Sequence, residues 1–418
     1  MSGAGPLVPL TFVALLVQKF GGTSVADPDR IRAVAEHVAR TRKAGNDVIV
    51  AVSAMGKSTD ELVRLAHDVS NNPTGREMDM LLTAGERISM ALLSMAVNDL
   101  GVPAVSFTGS QAGIVTDTDH GRAKIIEVKG DRIREAVAAG QVAIVAGFQG
   151  VSTAKEIVTL GRGAGDLTAV ALAAAFSASV CEIYTDVEGV YTADPRIVPD
   201  ARRIARISFE EMLEMAATGG RVLAMRSVEL ARNHNVALHV RSSFTWAPGT
   251  WVVEEVPLME AAIISGVTHD VSEAKITIEQ VPDRPGVAAS VFRALAEDGV
   301  NVDMIVQNVS TAGHTDISFT VPRSDLPKTV VVMEKVVVDT EARGYRSDAE
   351  VGRVSLVGAG MKTHPGVAAK MFETLAEEGI NIEMISTSTI RISCVVRDAD
   401  VEPAVRVLHR AFGLEVAP

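Results

Sequence analysis

The chain has 418 residues, enough for two or three domains, and is 47% hydrophobic and 22% charged, so it can bury ordinary globular cores. Its net charge of −12 argues against a nucleic-acid or anionic-membrane surface, while a pocket for a small anion stays open because a pocket sets its own local charge. Aromatics are only 4% beside abundant Ala, Val and Gly, which suits buried parallel strands under closely packed helices.

Residues Met1 to Phe12 are Gly/Pro-rich, carry no basic segment and are too short in apolar run to span a bilayer. They read as a loose tail, and the expected compartment is cytoplasmic. Val13 to Val17 is a strand and Gln18 to Ser24 a glycine turn. A helix starts at Asp27 with Pro28 at its first position, and its apolar residues Ile31, Val34, Ala35, Val38 and Ala39 share one face. Val48 to Ser53 is the next strand, completing a βαβ unit. A long amphipathic helix runs from about Glu77 to Leu100. Strands follow near Ala104 to Phe107 and Val142 to Gly147, then a glycine loop at Gly161 to Gly165, an Ala-rich helix from Asp166 to Phe176 and a strand from Val180 to Asp186. Helices near Phe209 to Ala217 and Val222 to Asn233 and a strand at Val236 to Arg241 close the series. Alternating strands and helices over this length predict a mainly parallel α/β sandwich, with ligands at the carboxyl ends of its strands. Cys181 and Cys394 lie in apolar strand-like runs and read as buried thiols; no His or Cys cluster has metal-ligand spacing.

The remainder is an internal echo. Asp283-Arg-Pro-Gly-Val-Ala-Ala recurs as Thr363-His-Pro-Gly-Val-Ala-Ala, and Gly299-Val-Asn-Val as Gly379-Ile-Asn-Ile, at an offset of 80 residues. So long a period means two copies of one small domain. Lys275 to Gln280, the Pro-Gly helix, Asn301 to Val306, Thr315 to Val321 and a helix near Asp325 to Val337 give a ferredoxin-like βαββα order with a closing strand. The second copy repeats this from Arg353. The expected divisions are 13–255, 262–345 and 346–418, and a ligand site between the like modules suggests regulation.

The residues that carry chemistry sit at strand ends. Lys19-Phe-Gly-Gly-Thr-Ser24 could bring glycine amides and a cation to phosphate oxygens, or be a glycine turn with a solvated lysine. Thr159-Leu-Gly-Arg-Gly-Ala-Gly-Asp166 opens a helix, a natural anion site, where Arg162 can clamp a carboxylate; Asp166 could equally be a helix cap. Tyr184-Thr-Asp186 and Val190 to Arg196 suit a nucleotide or a structured loop. Ala51-Val-Ser-Ala-Met-Gly-Lys-Ser-Thr59 lacks the first glycine of a phosphate loop and is not read as one. Glu86 in Thr83-Ala-Gly-Glu-Arg87 gains interest only if it shares a pocket with Arg162.

Together with Phe107-Thr-Gly-Ser-Gln-Ala-Gly113, Ala146-Gly-Phe-Gln-Gly150 and Arg241-Ser-Ser243, these motifs resemble the aspartate kinases of the amino-acid kinase superfamily, with paired ACT domains, over about Leu15 to Val416. The resemblance implies phosphoryl transfer from ATP, with Mg2+, to the β-carboxylate of L-aspartate. It places ATP on Lys19, Phe20, Gly21, Gly22, Thr185, Asp186, Tyr191, Thr192, Ala193, Asp194, Pro195, Arg196 and Arg221. Aspartate falls on Ser53, Thr59, Glu86, Arg162 and Gly163, with Glu86 on the ammonium and Arg162 on the α-carboxylate. The implied catalytic set is Lys19, Asp166, Glu86 and Arg162. Lysine and/or threonine would bind as effectors at Asp283, Gly286, Val287, Ala288, Gln307, Asn381 and Ile382. ACT pairing between chains implies a homo-oligomer or an α2β2 assembly, and Met259 could be an internal start for a separate regulatory subunit.

The chain departs from the family pattern in three ways. Where the family has Gly-Arg-Gly-Gly-Ser-Asp-Thr-Thr, this chain has Ala164, Gly165 and Leu167; Arg221 replaces a nucleotide-facing lysine; and Thr389 stands where the family has Glu. The first two bear on catalytic rate, the third on feedback. They motivate an alternative in which a degenerate kinase domain serves an amino-acid-binding regulatory protein. Glutamate 5-kinase and acetylglutamate kinase are disfavoured by the tandem modules and by Lys-Phe-Gly-Gly-Thr-Ser.

Overall fold

The structure, a computed structural model, describes residues 14–161, 163–220, 222–254, 263–308, 313–362 and 364–415. The chain forms two compact units. The first takes the chain to Val190, then Arg203–Leu213 and Val222–Val256; the second takes Tyr191–Arg202, Glu214–Arg221 and the chain from Pro257 onward.

In the first unit the elements run β1 Leu15–Phe20, α1 Pro28–Lys43, β2 Asp47–Val52, α2 Ser58–Val69, α3 Arg76–Asp99, β3 Ala104–Phe107, β4 Ile114–Thr116, β5 Ile125–Val128, α4 Asp131–Ala138, β6 Val142–Ala146, β7 Gln149–Ser152, β8 Ile157–Thr159, α5 Ala164–Ala175 and β9 Val180–Thr185. They continue with β10 Arg206–Ser208, α6 Phe209–Ala217 (which the unit boundary divides), α7 Met225–Asn233, β11 Leu238–Ser242 and β12 Thr250–Val253.

The main sheet has the order β10-β12-β11-β9-β1-β2-β6-β3. Every pairing is parallel except β11 with β12. Helix α1 starts as its sequence predicts: the Asp27 carboxylate accepts from the Arg30 N–H, and Pro28 sits at the first position. Its stripe Ile31, Val34 and Val38 packs with Phe20, Val50 and Ile144 of the sheet and with Leu93 and Val97 of α3. Helix α5 is buried continuously from Ala164 to Ala173, which small side chains allow by letting its backbone approach the strands. A second sheet, β5-β4-β7-β8, was not anticipated: its strands have three or four residues and no alternation long enough to read.

In the second unit the elements are β13 Gly266–Asp270, β14 Glu273–Pro282, α8 Val287–Glu297, β15 Ile305–Gln307, β16 His314–Pro322, α9 Leu326–Thr340 and β17 Gly344–Asp348, then β18 Val351–Val357, α10 Val367–Glu377, β19 Met384–Thr387, β20 Arg391–Arg397 and α11 Val401–Ala411. The sheets are β15-β16-β14-β17 and β13-β18-β20-β19, so each copy has the ferredoxin-like order. The repeat is visible at the helix starts, where Gly286 and Gly366 adopt φ of 96° and 99° and cap α8 and α10.

The strand pairing cuts across the division at residues 345 and 346. Strand β13 precedes the first copy yet pairs antiparallel with β18, filling the place that β17 fills in the first. The closing strand that the sequence expected after the second copy's last helix is therefore supplied by an upstream segment. Segments from the first half of the chain, Tyr191–Arg202 and Glu214–Arg221, also belong to this unit. The Thr192 carbonyl accepts from the Val267 N–H at 2.7 Å, and Thr192 Oγ1 lies 2.9 Å from His409 Nε2. Arg391 pairs with Glu214 at 3.1 Å.

Candidate active site

Parallel register sets the site. Lys19 and Phe20 align with Ile183 and Tyr184 of β9, and Ser242 aligns with Thr185, so the segments after β1, β9 and β11 leave one edge together. Ser53 follows β2 on the same edge, and Gly147 follows β6.

At the centre, Lys19 Nζ lies 2.6 Å from Asp166 Oδ1, with the two side chains only 12% and 10% exposed. Asp166 is in the first turn of α5, which therefore aims both its helix dipole and its backbone N–H groups at this point. The glycines make the cluster compact. A Cβ on Gly21 would sit 3.4 Å from Lys19 Nζ, and one on Gly165 would sit 3.0 Å from Ser53 Oγ and 3.3 Å from Lys19 Cε. A Cβ on Gly22 would lie 3.0 Å from the Ala54 carbonyl oxygen. The Gly21 N–H donates to the Tyr184 carbonyl and the Gly56 N–H to the Gly22 carbonyl, fixing the turn against both neighbours.

Glu86 comes from α3. Gly85 lets that helix pack on Ala54, whose N–H donates to Glu86 Oε1 at 3.2 Å. Glu86 is 3% exposed, and among the described residues its Oε2 has no hydrogen-bond partner. Burial pushes its carboxyl up to about 7, against the N–H groups of Glu86 and Ala54 that favour the anion. A buried carboxylate with one open oxygen is suited to an incoming ammonium.

On the β9 side, Thr185 Oγ1 donates to Asp186 Oδ1 at 3.1 Å. Ser243 donates through both its N–H and its hydroxyl to the Thr185 carbonyl and shares a 2.7 Å contact with Ser24 Oγ. The Ser24–Ser243 pair, which ties the lysine turn to the Arg241-Ser-Ser243 motif, had no signal in the sequence beyond the presence of the motif.

The structure thus brings Lys19, Gly21, Gly22, Ser53, Glu86, Asp166, Thr185 and Asp186 to one edge of the first unit. Phe20 does not face it: its ring is buried in the core, stacked on Tyr184. Gly163 caps α5 at φ 78°, and Thr59 lies in the first turn of α2. Arg162 and Arg221 lie outside the described residues, as does Met259. The segment Tyr191 to Arg196 belongs to the second unit, where Thr192 and Ala193 are buried and Asp194 is bonded to Arg196 at 2.6 Å.

The expected effector residues also lie in the second unit. Asp283, Gly286, Val287 and Ala288 lead into α8, with Asp283 and Gly286 exposed and Val287 buried. Gln307 ends β15, and Asn381 and Ile382 precede β19. Val306 packs with Met304, Met384, Val351 and Val395, so both groups flank a seam between the two sheets. Lys275–Glu383 and Arg397–Asp348 pairs, at 3.1 and 2.6 Å, cross the same seam.

Comparison with known proteins follows this division. Residues 14–242 match the amino acid kinase family, and residues 276–336 and 354–412 match the ACT domain. Aspartokinase of Mycolicibacterium smegmatis is 57% identical over 96% of this chain and 97% of its own length. Aspartokinase of Corynebacterium glutamicum is 55% identical over the same shares. The crystal structure of E. coli aspartokinase III with aspartate and ADP, in its R-state, superposes with a TM-score of 0.80 at 26% identity, over 95% of this chain and 99% of that one. The same enzyme with lysine and aspartate, in its T-state, gives 0.73 at 25% identity over the same shares. The chain belongs to the amino acid kinase family, in the group of aspartokinases that carry a tandem ACT pair.

Proposed function

We propose that the chain transfers the γ-phosphoryl group of ATP to the β-carboxylate of L-aspartate, giving 4-phospho-L-aspartate, the first step toward lysine, threonine and methionine, under feedback from an amino acid held by the ACT pair. The observation that carries this reading is the buried Lys19–Asp166 pair beside the open carboxylate of Glu86. Phosphoryl transfer asks for positioning and charge neutralisation more than for a strong base. Lys19 and the Gly22 amide meet the transferring phosphoryl group, while Gly21, its N–H held by the Tyr184 carbonyl, leaves the room for them to do so. Asp166 holds the lysine in place. Glu86 takes the substrate ammonium and Arg162 its α-carboxylate, while Thr185 and Asp186 face the nucleotide. Mg2+ would ride on the ATP phosphates and neutralise their charge; Asp166 and Asp186, on the same edge, are the carboxylates suited to face it.

The complexes of E. coli aspartokinase III with aspartate and ADP, and with lysine and aspartate, support both the substrates and lysine as effector. Threonine as a second effector, and assembly as a homo-oligomer or α2β2 through the ACT modules, rest on family resemblance. The alternative of a degenerate kinase domain draws on Ala164, Gly165 and Leu167. The intact Lys19–Asp166 pair and the tight packing at Gly165 favour an active enzyme. ATP-dependent hydroxamate formation with aspartate, glutamate and acetylglutamate, each with lysine and threonine singly and together, tests the reading. Product with aspartate alone supports it. Lysine binding without turnover would favour the regulatory alternative.

A further inference from the structure

Seven residues before Glu86, two turns back along α3, lies a second buried carboxylate that the phosphoryl-transfer chemistry does not use. Asp79 is 1% exposed. Its Oδ1 accepts from Thr159 Oγ1 at 2.5 Å. Its Oδ2 lies 2.6 Å from His120 Nδ1 and accepts from the Gly121 N–H at 3.2 Å. The carboxylate therefore joins three parts of the first unit that are remote in sequence: helix α3, the loop between β4 and β5, and the end of β8.

Thr159 is the last residue of β8, directly before the Gly161–Gly163 turn into α5. The loop Asp79 gathers is packed on that turn: the Ala123 N–H donates to the Thr159 carbonyl at 3.0 Å, and a Cβ on Gly161 would lie 3.5 Å from the Gly121 carbonyl oxygen. Arg226 of α7 closes the far side, donating to the Leu160 carbonyl at 2.9 Å and the Ala123 carbonyl at 3.3 Å. The approach to the glycine turn is thus held by a buried carboxylate on one side and a guanidinium on the other. The same helix that presents Glu86 also fixes the start of the loop expected to hold the other end of aspartate. A rigid helix spanning both points sets the distance between the two recognition groups.

We propose that Asp79, acting through His120, Gly121 and Thr159, is a positioning residue that sets the spacing between Glu86 and the Gly161–Gly163 turn and thereby the affinity for the amino-acid substrate. The inference rests on the reading that places aspartate between those two points. An amide at position 79 cannot replace the carboxylate: it can accept from Thr159, but its NH2 then faces the Gly121 N–H, donor against donor. At position 120, an asparagine side chain places its amide nitrogen where Nδ1 stands, whereas alanine leaves Oδ2 without that partner.

The test is steady-state kinetics on the full chain, with KM for aspartate and for ATP and kcat measured separately. Asp79→Asn and His120→Ala should each raise KM for aspartate about tenfold, with KM for ATP and kcat within about twofold, as loss of a supporting contact behind a binding group predicts. His120→Asn should return KM for aspartate to within about threefold of the parent. His120 is partly exposed, so its variants carry the test if Asp79→Asn does not fold. KM values for aspartate and ATP rising together, or His120→Asn performing no better than His120→Ala, would overturn the proposal. Glu86→Gln measured alongside separates two failures. If Glu86→Gln raises KM for aspartate while the position 79 and 120 variants do not, only the positioning role falls. If Glu86→Gln also leaves it unmoved, the placement of aspartate falls and takes the positioning role with it.

Discussion

Two of the buried glutamates in the first unit have opposite fates. Glu86 at the sheet edge is pushed up to about 7, whereas Glu182, in the middle of β9, is held down at about 2. Burial raises both. At Glu182 it is overcome by His239, by the Gln18 amide donating at 2.8 Å, by Arg241 at 3.3 Å and by the Tyr184 hydroxyl at 3.1 Å. At Glu86 only backbone N–H groups favour the anion. A carboxylate that serves the fold is surrounded by its own donors; one that serves a ligand keeps an oxygen open and bears the penalty until the ligand arrives.

The largest expected effect breaks the site at its centre. Asp166→Ala should lower kcat by about 10²–10³-fold, as for loss of one organised electrostatic contact, in a chain that still folds. An active, folded variant would falsify the role given to Asp166. Next comes the structural glutamate. Glu182→Ala leaves the Arg241 guanidinium without its acid in a half-buried network and should destabilise the first unit by about 3 kcal/mol, read by urea unfolding. In pH terms, a folded value of about 2 below the ordinary 4.5 means that the Glu182 contribution is complete above 4.5 and is lost as pH falls from there toward 2.

Glu86 should behave in the opposite sense. Its folded value of about 7 lies above the ordinary 4.5, so the unfolded chain loses this proton first and stability declines as pH rises from 4.5 to 7, by about 3 kcal/mol. Glu86→Gln removes that decline. It should melt higher than the parent at pH 8 and about equally at pH 4, while its KM for aspartate rises about tenfold. In the parent, KM for aspartate should fall as pH climbs through 7, because the ammonium needs the ionised carboxylate. A Glu86→Gln variant less stable than the parent at pH 8 would mean that residue 86 is structural in the way residue 182 is.

What the sequence made legible follows the same contrast. Lys19, Glu86 and Asp166 could be picked out because a lysine before paired glycines and an aspartate opening a helix have few uses at a strand end. The tandem modules were visible because copies keep their loop and helix starts. Glu182 gave no sign, since its partners Gln18, Tyr184 and Arg241 come from three strands. Asp79 and His120 are 41 residues apart and belong to no motif. The role of β13 was hidden because five residues, Gly-Val-Thr-His-Asp, pair with a strand over 80 residues away, and register between remote segments leaves no local pattern. Thr192 lies in a polar loop that reads as exposed, yet the backbone of β13 and His409 bury it.

The smallest expected effect probes whether the site's close packing limits its rate. Gly165 sits in the first turn of α5, and a serine there has less backbone freedom to lose than glycine, a gain of about 0.5 kcal/mol. Its Cβ would arrive 3.0 Å from Ser53 Oγ and 3.3 Å from Lys19 Cε, closer than ordinary contact, so the Ser53 hydroxyl must rotate aside by a few tenths of an ångström, which a free rotor can do. The new hydroxyl then stands beside the Lys19–Asp166 pair as one more donor toward the phosphoryl oxygens. One such hydrogen bond, worth about 1 kcal/mol, predicts a kcat about fivefold higher for Gly165→Ser. Gly165→Ala supplies the same Cβ without the hydroxyl and should bring the crowding alone, with no gain. If serine and alanine change kcat alike, the hydroxyl contributes nothing. If both lower it, the glycine is what allows Ser53, Lys19 and Asp166 to meet.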